Sequence, residues 1–206
     1  PAPGFAPFEP AAAPVPAAAP APQGEVRVEE GWTVIRRRVT LAHPPAAVWA
    51  HFSDPAAVIR CLRGAQLDSR EGEDFTGHVA VGFGPIAAKF EGEGRFETDE
   101  AARTGRVTGR GKDRGGQSSV AGGLDFALAP GETEAETRAD VALRFRIEGR
   151  LGQFNRPELV NGLVDHLLGD FVANCDAVLG GGPAPAPRKL GIGALIRMLL
   201  ATLRRR

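Results

Sequence analysis

The sequence predicts an α+β domain in which a curved antiparallel β-sheet grips one long C-terminal helix, with two short helices after the first strand. Three observations predict it. Strand-like segments with period-two alternation fill the middle of the chain. Two proline-led helical segments follow the first strand. One long stretch of period-3.6 apolar residues comes after the last strand.

The first strand reads as 32–41 (WTVIRRRVTL), rich in β-branched residues. Its arginines Arg36, Arg37 and Arg38 are consecutive, so they cannot share one face. Pro44 and Pro45 then fix the chain at the first turn of a helix, in which Val48, Trp49 and Phe52 fall at helical spacing. Asp54 caps a second short helix, with Pro55 at its first position and Val58, Ile59 and Leu62 on its apolar side.

Six further strands read as 65–70, 73–82, 86–97, 103–111, 118–129 and 134–148. In the last, Val141, Leu143, Phe145 and Ile147 alternate with Ala142, Arg144, Arg146 and Glu148, the pattern of a sheet with one face buried. The short breaks favour antiparallel hairpins. Glycines inside the strands, among them Gly77, Gly92, Gly94, Gly109 and Gly111, permit strong bending. Gly115-Gly116 reads as a hairpin turn and Gly122-Gly123 as a strand bulge. The final helix, 156–179, carries Leu159, Leu163 and Leu167 as one stripe with Val160, Val164, Leu168 and Val172 beside it.

The chain divides into a Pro/Ala-rich disordered leader (1–24), the body (25–180), a flexible hinge (181–187) and a basic amphipathic tail (188–206). Formal net charge is zero, yet no acid follows Asp176, and Arg188, Lys189, Arg197, Arg204, Arg205 and Arg206 give the last 19 residues +6. The other 19 basic and 25 acidic side chains leave the rest at −6. An acidic body without tyrosine is a poor nucleic-acid binder. Residues 1–23 lack the basic start and continuous apolar core of a secretory signal.

Signals for catalysis are weak. Cys61 and Cys175 form no CxxC, so neither a disulfide framework nor a Cys-based zinc site finds support. Of His43, His51, His78 and His166, none lies in a metal motif; His51 and His78 are the pair that could meet in space. The expectation is no catalytic residue, no metal and no cofactor. Ser118 and Ser119 should face solvent and neighbouring strands. Gly109-Arg110-Gly111 has no helix behind it and fails as a dinucleotide fingerprint. Cys61, at the end of the second short helix, is open to use as a thiol or to plain apolar packing.

In the tail, Ile192, Leu195, Ile196, Leu199, Leu200 and Leu203 fall on one helical face, and Arg204, Arg205 and Arg206 close it. The 14 residues from Leu190 to Leu203 would span about 21 Å, short of the roughly 30 Å of a bilayer core. Such a helix would lie in a membrane interface, in a partner's groove, or on its own body.

Four segments carry a resemblance: PPAAVWAHFSDPAAVIRCLRGAQ, VGFGPIAAKFEGEGRF, GRGKDRGGQSSVAGGLDFAL and LVDHLLGDFVANC. With their order, the body resembles the CoxG family of carbon monoxide dehydrogenase accessory proteins, within the helix-grip, START-like SRPBCC superfamily. The family usually has Ile-Pro-Gly after the cysteine, where this chain has Leu62-Arg63-Gly64. The resemblance implies an accessory subunit of a molybdenum hydroxylase or CO dehydrogenase complex, not an enzyme. It implies a central cavity for an apolar molecule such as a quinone, in a protein that is cytoplasmic and peripheral on the inner face of the plasma membrane. The alternative is a structural recruitment anchor or maturation factor without ligand. The apolar positions expected on the cavity wall are Phe83, Ile86, Phe90, Phe96, Leu163 and Leu167.

Overall fold

Period-two alternation becomes a single sheet that bends around the last helix. The computed structural model describes residues 26–83, 86–154, 157–183 and 190–191. In chain order the elements are β1 (Val26–Glu29), β2 (Trp32–Leu41), α1 (Pro45–Phe52), α2 (Pro55–Cys61), β3 (Ala65–Glu71), β4 (Asp74–Phe83), β5 (Ile86–Asp99), β6 (Thr104–Asp113), β7 (Ser118–Pro130), β8 (Thr137–Gly149), a 3-10 turn (Arg150–Phe154), α3 (Pro157–Leu179) and β9 (Leu190–Gly191). The sheet order is β1-β2-β8-β7-β6-β5-β4-β3, antiparallel throughout. Consecutive hairpins build β3 to β8. The two short helices carry the chain from β2, beside one edge, to β3 at the other.

Two expectations need correction. The sheet begins at Val26, because Glu30 and Gly31 form a two-residue turn with positive φ at both positions (50° and 77°). Residues 122–123 form no bulge: Gly122 pairs with Gly109 and Gly123 with Thr108 in unbroken register.

The helix ends follow local chemistry. The Asp54 carboxylate accepts the Ala56 N–H at 2.9 Å, with Pro55 behind the cap. Helix α3 stops on glycines: Gly181 takes φ +83°, and the Gly182 N–H donates to the Ala177 carbonyl at 2.8 Å. The first residues of the expected hinge therefore cap this helix.

The core lies under the C-terminal half of α3. Phe52 meets Phe126 edge-on at 5.5 Å and Phe171 at 5.8 Å. Leu41, Val48, Phe96, Leu128 and Ala139 fill the space around them, with Val178 and Leu179 of α3 packed against the cluster.

Two glycines should respond oppositely to substitution. The Phe126 ring covers Gly105, its cross-strand partner, so a side chain there meets the ring. Gly169 lies mid-helix, exposed, with nothing within 4 Å of an added Cβ. In urea titrations Gly105→Val should cost about 1–3 kcal/mol, and Gly169→Ala should add about 0.5–1 kcal/mol.

Candidate functional site

The register aligns glycines into a band. Gly77 pairs with Gly92, and Gly92 with Gly111; one row over, Gly94 pairs with Gly109, and Gly109 with Gly122. Cross-strand partners point to the same face, and this is the face that carries Phe75, Phe96, Val107 and Phe126. Each row thus crosses three strands without a side chain; the first ends on Val120 of β7, and the second starts from Phe75 of β4, whose ring reaches Gly94. The curl is tight there: a Cβ on Gly94 would stand 2.5 Å from the Thr108 carbonyl oxygen, and one on Gly122 2.5 Å from that of Arg144.

Helix α3 packs Phe171, Val172, Val178 and Leu179 against the core cluster and buries Val160, Asn174 and Cys175, while Leu163, Val164, Leu167 and Leu168 are half-buried. On the same inner face Val120, Leu143, Phe145 and Ile147 are also half-buried.

Of the expected wall positions, Phe90 is buried, and Phe96 is buried within the core cluster. Leu163 and Leu167 of α3 are half-buried. Phe83 and Ile86 are cross-strand partners at the end of the β4–β5 hairpin; their side chains lie outside the described residues.

Polar ties hold the rest of α3. Arg37 stands on the inner face of β2 and is 10% exposed; its Nε donates to Asp165 at 2.6 Å, and its Nη2 donates to the Asn161 side chain. On the opposite side Arg63 forms a loose ion pair with Asp170 at 3.7 Å, and the Asn174 amide donates to the Cys61 carbonyl at 2.9 Å. Gly64 takes φ +80° in the turn after Cys61.

At the seam of the three helices the structure gathers residues that the sequence left apart. His51 of α1, Cys61 of α2 and Cys175 of α3 are buried, and their ligating atoms all lie within 4.8 Å of one another. His51 Nε2 is 3.4 Å from Cys61 Sγ. Burial, then the Arg60 charge, lowers the His51 pKa, so the ring is neutral. Burial raises both thiols; Cys175 goes well above the ordinary thiol range, with the neighbouring Cys61 adding to the rise. The sequence offered no signal for this cluster, since its members sit on three separate elements. His78 instead meets Asp68 at 3.0 Å, so the imagined pairing of His51 with His78 gives way to two separate partners. Ser118, expected at the solvent, is buried and accepts the Leu151 N–H at 3.1 Å.

The base of the tail is not helical. Leu190–Gly191 add to β4 as a parallel pair opposite Val81 and Gly82, extending the edge beyond β3. The tail positions Ile192, Leu195, Ile196, Leu199, Leu200, Leu203 and Arg204–Arg206 lie outside the described residues, as does the leader. Among the described residues no helix is long and apolar enough to cross a membrane.

The family model of the carbon monoxide dehydrogenase protein CoxG matches residues 38–180. No curated protein matches the chain. Among solved structures, a conserved protein from Geobacillus kaustophilus is similar at TM-score 0.62 and 14% identity, over 71% of this chain and 94% of that one. Ara h 8.0201 is similar at 0.51 and 16%, over 74% and 100%. Protein TTHA0849 from Thermus thermophilus is similar at 0.50 and 18%, over 70% and 98%. These likenesses show the fold, the helix-grip architecture.

Arg37 should be the restraint on the N-terminal half of α3. Arg37→Leu should speed amide exchange around Asn161–Asp165 while leaving Phe171–Leu179 protected. Asp165 is 56% exposed, so the global cost should stay near about 1 kcal/mol. Uniform loss of protection along the helix would contradict this division.

Proposed function

Because the chain belongs to the CoxG family of carbon monoxide dehydrogenase, we propose that it is a binding accessory of a molybdenum-containing CO dehydrogenase-type oxidoreductase. Its groove takes up an apolar small molecule. A quinone is the ligand class that suits both a redox partner and a lipid surface. The observation that carries this reading is the pair of glycine rows on the inner face of β4 to β7; the groove is placed between them and half-buried Leu163 and Leu167. A strip without side chains, flanked by hydrocarbon, favours a flat apolar ligand held by burial. Phe83, Ile86, Phe90, Leu163 and Leu167 make the wall, and Phe96 closes the inner end.

The chain itself is not an enzyme in this reading. The groove positions named here are glycine or hydrocarbon and supply neither base nor nucleophile. The tail from Ile192 onward lies as a basic amphipathic helix on the inner face of the plasma membrane, with the body in the cytoplasm. The pairing of Leu190–Gly191 supports the link between membrane and groove, because it roots the tail beside the Phe83–Ile86 hairpin.

Native mass spectrometry of the purified full chain should reveal a co-purifying apolar molecule. Leu163→Trp should abolish quinone uptake, measured by extraction and chromatography, while the fold survives at a cost of about 1–3 kcal/mol. Undiminished uptake by the folded variant would sink the groove assignment.

The tail has its own test. Each apolar side chain fully buried would contribute roughly 1.5–3 kcal/mol, and each cation about 1 kcal/mol near anionic lipid. The full chain should therefore sediment with anionic liposomes, and Leu199→Asp with Leu203→Asp should release it. Salt should weaken binding without abolishing it, since only the charge contribution is screened. Equal binding by a chain ending at Gly182 would show that the tail is not the anchor.

A further inference from the structure

We propose that His51, Cys61 and Cys175 form a binding site for Zn2+, which clips α1 and α2 to α3. Each helix donates one ligand: His51 is the penultimate residue of α1, Cys61 the last of α2, and Cys175 lies in the last turns of α3. All three side chains are buried, and the described chain brings no carboxylate into the cluster.

The dimensions suit the ion. With Zn–S near 2.3 Å and Zn–N near 2.0–2.1 Å, a tetrahedral site sets its nitrogen and sulfur about 3.6 Å apart. His51 Nε2 and Cys61 Sγ are 3.4 Å apart, and no ligand atom is more than 4.8 Å from another. Small side-chain rotations bring all three onto one centre.

The chemistry selects the metal class. Two sulfurs and an imidazole nitrogen, without oxygen, exclude Mg2+ and Ca2+ and favour a thiophilic ion. Two buried thiolates would be costly alone; paired with one divalent cation they make an assembly of zero net charge. On binding, each thiol loses its proton to solvent and forms a Zn–S bond, while the neutral imidazole donates its lone pair and loses none. The backbone is braced for this: Asn174, next to Cys175, holds the Cys61 carbonyl at 2.9 Å. Three protein ligands leave one coordination position for water.

The experiment uses the full chain, stripped with chelator and kept reduced. Co2+ is added as the spectroscopic probe and then displaced by Zn2+. The expected result is one equivalent bound, with a sulfur-to-cobalt charge-transfer band and tetrahedral d–d bands. Cys61 and Cys175 are the only cysteines in the chain, so such a band in the unmodified protein can come from no other pair. Cys61→Ser and Cys175→Ser should each reduce the band, and His51→Gln should shift the d–d bands while the thiolate band persists. Zn2+ should raise the melting temperature by several degrees. A folded, reduced chain that gives no thiolate band, or a band unchanged in folded serine variants, overturns the proposal.

Discussion

No Cβ fits at Gly77, Gly92, Gly94 or Gly122 on the inner face of the sheet, and the rest of the molecule is arranged around that constraint. At Gly94 and Gly122 the neighbouring strand's carbonyl already occupies the place a side chain would need. Glycine there lets the sheet curl tightly enough to receive α3, and the same absence leaves room on the inner surface. Flanking rings make use of it: Phe126 lies over Gly105 at one margin of the band, and the Phe75 ring edge would stand 2.6 Å from a Cβ on Gly94.

The helix is held differently along its length. Phe171, Val172, Val178 and Leu179, each partly buried, pack against the aromatic core. The half nearer its start is tied by Arg37 to Asp165 and Asn161, in a pairing whose acidic member is mostly exposed; such a tie contributes on the order of 1 kcal/mol.

Much of this fold was legible in the sequence. Strand limits from Ala65 onward agree with the structure to within a few residues, because alternation such as Val141, Leu143, Phe145, Ile147 has no competing helical reading. The glycines were legible as sites of bending. Their alignment was not, because it depends on which residue of β5 stands opposite which of β6. That same register removed the expected bulge at Gly122. β1 escaped notice because four residues are too few to show a period, and its turn relies on Glu30 adopting positive φ, which is uncommon outside glycine. The histidine–cysteine cluster was invisible for a different reason. Spacing motifs detect ligands that share one element, and here three helices contribute one residue each.

The segment after Cys61 ties two helices together. Arg63 reaches Asp170 on α3. Both side chains are about 40% exposed, so the pair adds little stability. Its effect is positional. Asp170 lies one helical turn before Asn174, which grips the Cys61 carbonyl, and Cys175 follows directly. From Asp170 to Cys175, α3 is thus fastened to α2 by an ion pair, an amide hydrogen bond and the thiol–imidazole cluster in succession. The seam between α2 and α3 is closed along that stretch. Leu163 and Leu167 precede it, on the part of the helix that α2 does not reach through these bonds. The earlier turns of α3 are held instead from β2, by Arg37 through Asp165 and Asn161.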